Sequence, residues 1–408
     1  MKASVFLYPW DVDGDPEAAG RVAGLGVRQV TLAAAYHSTR ALTPRHPGHR
    51  IVTAEHAAVL YPPDTRWEGR ELRPYAAGDW APGDAYGAAA AALADAGLEV
   101  HTWVVLAHNS RLGAERPDTS VVNAYGDRYP WAPCIAQPAT RAYLVELAAE
   151  AAVRPGARGT ELESLGWYGL QHLHAHDKTG GVGLGDAGSY LMSLCFCPVC
   201  REGYGEQGLD ADALAASVRE ALEPLWRGAP DGGGGWAGVE RLLGGAKAAA
   251  TRAWRDETAR TLQETAVRAV RAAAPEGFQV LLHADPVTYH VGANVGVDPA
   301  HILSVADGVV VPCAGGTGLL APFAEQGRAG AVLAANFTVV SGMGGRPGTL
   351  AADAAEARSR GASELRLYHA GLASDGDLSL VREELSRLRT RAPEVTSSAP
   401  PRTINTGR

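Results

Sequence analysis

The chain has 408 residues, 46% apolar and 20% charged, an ordinary globular composition that excludes a largely disordered or fibrous protein. Its 37 basic and 45 acidic residues give a net charge of −8, which disfavours a nucleic-acid backbone or an anionic membrane surface as partner. The N-terminus, Met1 to Asp11, has neither the apolar core nor the small-residue cleavage site of a secretory signal. No uncharged apolar run approaches the roughly 20 residues a membrane span requires. A cytoplasmic protein is therefore expected, with its thiols reduced. Its five cysteines read as ligands or core residues rather than disulfides.

Along the chain, short apolar, β-branched runs alternate with Ala-rich helical stretches. The runs at 3–7, 29–33, 99–105, 160–165, 278–282, 308–311, 331–335 and 364–368 read as buried strands. Between them the helical candidates are 16–25, 84–96, 139–152, a long stretch within 237–274, 322–328, 350–360 and 378–391. Pro16 suits a first helical turn, and Gly26, Gly97 and Gly361 stand where helices should stop. Eight strands alternating with helices predict an α/β fold of the (β/α)8 TIM-barrel class. The rival doubly wound sheet would need a phosphate loop after the first strand. Residues 8–14 hold no G-x-G-x-x-G.

One barrel is expected over residues 1–391, with a frayed, Pro-rich tail at 392–408. The gap after the fourth strand is too long for an ordinary connection. Residues 167–277 are read as an insertion at the barrel top. It holds a cysteine cluster, a helical piece at 210–226, a Gly-rich break at 231–235 and the long helix.

Cys195, Cys197 and Cys200 place three thiols within six residues. A C-x-x-C knuckle presents two thiolates to one metal, and a third just upstream nearly completes a tetrahedral shell. The fourth ligand is Cys134 or one of the nearby histidines. A closed sulfur site of this kind predicts structural zinc.

The Cys-x-Cys-x-x-Cys after the fourth strand, with Cys134 after the third, resembles the zinc site of family 42 β-galactosidases and related glycosidase-like barrels. The resemblance implies that Cys134, Cys195, Cys197 and Cys200 are the four ligands, on a (β/α)8 barrel whose site lies at the strand C-termini. It covers the cysteine motif and the strand order. Those enzymes carry Asn-Glu at the end of strand 4 and a second Glu at the end of strand 7. Here Glu163-Ser164 and Asn336-Phe337 stand in those places, so the two-glutamate mechanism does not transfer whole.

Polar residues at barrel strand C-termini face the substrate. Trp10, Asp11, His37, Trp103, His108, Trp167, His283, Asn336 and His369 fall there, and aromatic rings with hydroxyl-binding groups suit a sugar. Glycoside cleavage needs two carboxyl groups, about 5–5.5 Å apart for retention or 6.5–9.5 Å for inversion. Glu163 is the first candidate and Asp285, on the adjacent strand, its partner. Against these readings stand a salt-bridged strand-end pair for Glu161 and Glu163, and an Asp-Pro turn for Asp285. Glu161, two residues deeper on the same face, is expected to contact substrate or to raise the Glu163 pKa by like-charge repulsion. His172 and His174 alternate along an extended segment, where they could line the pocket or hold a second metal.

The expectation is a glycoside hydrolase-like enzyme acting on a small carbohydrate or glycoside, with oligomeric state left open. The alternatives are a metal-dependent lyase or isomerase using the His-rich segment, and an inactive carbohydrate-binding barrel.

Overall fold

The computed structural model describes residues 1–171, 177–230 and 233–390. Eight parallel strands form a closed barrel: β1 (Lys2–Leu7), β2 (Gln29–Tyr36), β3 (Glu99–Val105), β4 (Gly159–Glu163), β5 (Gln279–His283), β6 (Gly308–Pro312), β7 (Val332–Thr338) and β8 (Glu364–Tyr368). Each strand pairs with its neighbour in sequence, and β8 pairs with β1 to close the ring. Closure leaves no barrel edge to template foreign strands. The helices α1 (Ala18–Ala23), α2 (Ala85–Asp95), α3 (Pro138–Ala152), α4 (Gly245–Ala273), α5 (Pro299–Val305), α6 (Ala321–Ala324), α7 (Leu350–Ser359) and α8 (Asp375–Thr390) follow the strands in turn.

Four further helices, Gly185–Met192, Pro198–Glu206, Ala211–Trp226 and Gly235–Leu243, lie between β4 and α4. Two antiparallel hairpins were not legible as strands. Residues Thr39–Leu42 pair with Ile51–Ala54 after β2, and Ser120–Val122 pair with Arg128–Pro133 after β3. Their strands run only three to six residues, too short to stand out from loop sequence. Among the described residues no helix is long and apolar enough to cross a membrane.

Alternation sorts each strand into two faces. Val5, Leu32, Val104, Leu162, Leu282, Val309, Leu333 and Leu365 are buried in the cluster between sheet and helices. The opposite faces fill the barrel, and they are unequal. Leu281, Val310, Val332 and Ala334 pack an apolar sector, whereas Ser4, Thr31, Glu161 and Arg366 form a polar one. Glu161 of β4 and Arg366 of β8 are fully buried and ion-paired across the barrel. Arg366 also donates to Glu364 at 2.8 Å, and Thr31 Oγ1 donates to Glu161 at 3.2 Å. Burial by itself would raise the Glu161 pKa. The charge of Arg366, helped by His283, outweighs it and holds the carboxyl at about 2.

Removing one partner of such a pair leaves a buried charge uncompensated. Arg366→Met should therefore lower unfolding free energy by about 3–5 kcal/mol in urea titrations. The double variant with Glu161→Gln should recover part of that loss. Because the folded-state pKa lies below the ordinary 4.5, the contribution of Glu161 is present above that value and lost as pH falls toward about 2. That acid-side decline should shrink in the double variant.

Candidate functional site

Glu163 is the last residue of β4 and points into the barrel mouth, its side chain 20% exposed. Trp103 Nε1 donates to its Oε2 at 2.6 Å, and His283 Nδ1 lies 3.9 Å from the same oxygen. The strand stops there, two residues earlier than the apolar run suggests. Ser164 takes a left-handed conformation with φ of +63°, unusual for a residue with a side chain. Its amide donates to Asn294 Oδ1 at 3.2 Å and its carbonyl accepts from Ala107 at 2.9 Å. Gly166 follows, where the Val295 carbonyl oxygen occupies the space a Cβ would need. The backbone after β4 is thus locked to the β3 and β5 loops, which fixes the direction of the Glu163 side chain.

Around Glu163 the mouth is aromatic. Trp103 meets Phe6 at 4.8 Å and Tyr36 at 4.6 Å between ring centroids, both edge-on, and Tyr368 at 6.0 Å. Burial, mutual proximity and the nearby Glu163 charge push the Tyr36 hydroxyl well above its ordinary range. The Tyr368 hydroxyl is also raised, by burial first and by Glu163. From this wall a row of rings runs outward: Tyr36 on His37 at 4.2 Å, His37 to His108 at 4.5 Å, His108 to Tyr168 at 4.6 Å. The structure thus gathers Glu163, Trp103, His283, His37 and His108 about one mouth. Tyr36, Tyr168 and Tyr368 join them.

Asp11 and His369 sit lower, under the loop after β8. His369 is fully buried, stacked on Tyr8 at 4.2 Å, and Asp11 lies beneath Gly371, where a Cβ would strike its carboxylate. Tyr8 N–H donates to Asp11 Oδ2 at 2.8 Å. His369 Nδ1 approaches Asp11 Oδ2 to 4.0 Å, beyond hydrogen-bond range. Burial raises the Asp11 pKa to about 7, and burial with the Arg45 charge lowers that of His369 to about 3. Arg45, reaching over from the hairpin after β2, donates to the carbonyls of Ala370, Gly371 and Ala373 and clamps this loop down. Trp10 is buried beside them, stacked on Tyr8 at 4.6 Å.

Other expected contacts fall elsewhere. Trp167 is buried and donates to the Arg255 carbonyl of α4 at 2.9 Å, so its ring serves the packing of the long helix. Glu161 is committed to Arg366, and its negative charge is matched there rather than set against Glu163. Asp285 opens a turn, accepting from Val287 N–H at 2.9 Å, and pairs with His290 Nδ1 at 2.8 Å. Asn336 stands on the inner face of β7, partly exposed. His172 and His174 lie outside the described residues. Arg366 carries a signal of its own, since an arginine alternating with Leu365 and Leu367 in a buried strand is a sign of an internal partner.

A second constellation braces the mouth from outside. The sulfurs of Cys134, Cys195, Cys197 and Cys200 all lie within 4.8 Å of one another, and all four residues are buried. Cys134 Sγ is 3.7 Å from Cys195 and Cys197 and 3.6 Å from Cys200. A metal bound by four sulfurs at about 2.3 Å requires a tetrahedron edge of about 3.8 Å, so the set fits a single thiophilic ion. Cys134 ends the hairpin after β3, and Cys197 caps the helix Pro198–Glu206. Phe196 N–H bonds to the Val122 carbonyl at 2.6 Å beside them. The cluster therefore ties the β3 hairpin to the segment after β4.

Solved structures share this architecture. An α-L-fucosidase isoenzyme 2 from Paenibacillus thiaminolyticus superposes with a TM-score of 0.56 at 12% identity, over 95% of this chain and 49% of that one. The catalytic domain of a β-amylase from Paenibacillus polymyxa gives 0.56 at 13% identity, over 96% and 99%. A GH42 β-galactosidase from G. stearothermophilus gives 0.51 at 12%, over 95% and 56%. The fold they share with this chain is the closed (β/α)8 barrel. The chain spans about half the length of the fucosidase it matches. No protein-family model and no curated protein matches the sequence.

Two outcomes follow from this geometry. Metal analysis of the purified chain should find one equivalent of a thiophilic metal, lost with a fall in Tm in Cys197→Ser. Since the Asp11 pKa is raised from 3.8 to about 7 in the fold, the folded state holds a proton the unfolded chain releases. Stability should decline as pH rises across that window, and the decline should be smaller in Asp11→Asn, as read by Tm against pH.

Proposed function

We propose that this protein is a glycoside hydrolase-like enzyme acting on a small carbohydrate or glycoside, with Glu163 as its first catalytic carboxyl. The observation that carries the reading is Glu163 itself. It is a partly exposed carboxylate at the C-terminal end of a barrel strand, anchored by Trp103 beside Tyr36 and Tyr368, with His37 and His108 continuing the row of rings outward from Tyr36. Barrel enzymes place their chemistry at this face, and aromatic rings there suit the apolar faces of a sugar. Glycoside-hydrolase folds among the structural neighbours support the same substrate class.

Asp285 is the proposed second carboxyl. It follows β5, the strand beside β4, and its side chain is 14% exposed. In this role it must exchange its bond to His290 for one to water or substrate. Asn336, in the place where a strand-7 carboxylate stands in family 42 β-galactosidases, favours a second reading, a barrel that binds carbohydrate without cleaving it. The four-cysteine cluster is proposed to hold zinc as a structural ion, because a closed sulfur shell leaves no open position for water. Among the described residues no other group of three or more His, Cys, Asp or Glu side chains has metal-binding geometry.

The test is hydrolysis of a panel of aryl α- and β-glycosides. Wild type should release the aryl group from at least one member. Glu163→Gln should cut kcat by about 10²–10⁴, the range for a general acid or base, with an unchanged circular dichroism spectrum. Near-normal turnover in that variant would remove Glu163 from the mechanism. Binding without turnover by wild type would favour the second reading.

A further inference from the structure

The buried polar sector inside the barrel continues beyond what an ion pair for stability requires. His283, the last residue of β5, stands between the two glutamates of β4. Its Nε2 is 3.4 Å from Glu161 Oε2, and its Nδ1 is 3.9 Å from Glu163 Oε2. The imidazole is 5% exposed, and Glu161 and Arg366 are fully buried. His283 Nε2 and Glu161 Oε2 are both buried without a hydrogen-bond partner, so the 3.4 Å approach leaves a donor and an acceptor each open to the other. Glu161 Oε1, by contrast, is taken by Arg366 and by Thr31. One carboxylate oxygen is thus fixed by a guanidinium and a hydroxyl, and the other is presented to an imidazole.

We propose that His283 is the positioning residue for Glu163: the Arg366-paired Glu161 orients its ring by accepting from Nε2–H, and Nδ1 exchanges a proton with the Glu163 carboxyl. This rests on the reading of Glu163 as the reacting carboxyl and adds how that carboxyl is supplied. In the imidazolium form, Nδ1–H faces Glu163 Oε2. Transfer of that proton breaks the Nδ1–H bond and forms the Oε2–H bond. A neutral imidazole and a neutral carboxylic acid remain, and total charge is unchanged. The ring's other proton stays on Nε2, against Glu161.

A buried carboxylate that holds an imidazole in one tautomer while the second nitrogen serves a reacting group is an established arrangement for directing protons. The separation of 3.9 Å exceeds hydrogen-bond range, as catalytic contacts often do before substrate is bound. Trp103 Nε1, at 2.6 Å from the same oxygen, holds the carboxyl in reach. The groups that face His283 are few. Glu161 and Glu163 come from β4, with Arg366 behind Glu161. Phe6 of β1 contributes a ring at 5.8 Å, and the β6 residue in register is the apolar Val310.

The test uses the full chain with 15N-labelled histidine, following side-chain nitrogen shifts against pH. The His283 signals are assigned by their loss in His283→Gln, or in His283→Asn should the first variant not fold. Nε2 should carry its proton throughout the titration. The Nδ1 shift and its pH response should change in Glu163→Gln. A neutral tautomer protonated at Nδ1, or an Nδ1 signal indifferent to Glu163→Gln, would overturn the proposal.

On a hydrolysed glycoside, His283→Gln should alter the shape of the kcat–pH profile with little change in KM. His283→Asn, whose amide stands near the place of Nδ1 but cannot give up a proton, should show the same altered profile. A uniform loss in both variants with an unchanged profile would reduce His283 to packing. If no glycoside is turned over while Nδ1 still responds to Glu163→Gln, the hydrolase reading fails and the proton-sharing pair stands.

Discussion

The interior of this barrel is organised by one buried ion pair, Glu161 of β4 with Arg366 of β8. The two residues are fully buried and distant in sequence, and each would be prohibitively placed alone. Their pairing fixes strands on opposite sides of the ring, and it fixes the neighbours as well. Arg366 takes Glu364, Glu161 takes Thr31, and Thr31 meets Ser4 at 3.0 Å. What remains of Glu161 is one oxygen turned toward His283. The apolar sector of Leu281, Val310, Val332 and Ala334 contributes burial, but it gives no direction to any side chain at the mouth. The polar sector does.

Above this layer the chemistry is shaped by exclusion. Phe6, Tyr8, Tyr36, Trp103 and Tyr368 fill one side of the mouth, and Arg45 pins the loop after β8 across Asp11 and His369. Burial there shifts both groups toward their neutral forms, Asp11 up to about 7 and His369 down to about 3. Glu163 ends its strand at the mouth, and the left-handed turn at Ser164 carries the chain away from it. The four cysteines hold the loops that flank this opening.

The strand order was legible because each barrel strand is a short apolar run between helical stretches, and the boundaries move by only a few residues. The β4 end is instructive. Leu165 extends the apolar run, yet the strand stops at Glu163 because Asn294 and Ala107 capture the backbone of Ser164 from other loops. The cysteine cluster was legible from spacing in its C-terminal three members. Cys134 joins them through the turn after the β3 hairpin, a hairpin whose strands carry no sequence signal of their own.

The sequence by itself determined the alternation of elements, the thiol knuckle and the presence of carboxylates at strand ends. These are properties of local spacing, set by the two-residue period of a strand and the fixed reach of a C-x-x-C turn. Only the tertiary structure decided which carboxylate is spent and which is available. Glu161 and Glu163 are two residues apart on one face. One meets Arg366 from across the barrel and the other meets Trp103 from the next strand. Asp285 is drawn into a turn with His290, and Trp167 into the packing of α4. Partners remote in sequence settle such roles, because the charge and solvent a side chain experiences are set by what closure of the barrel places beside it.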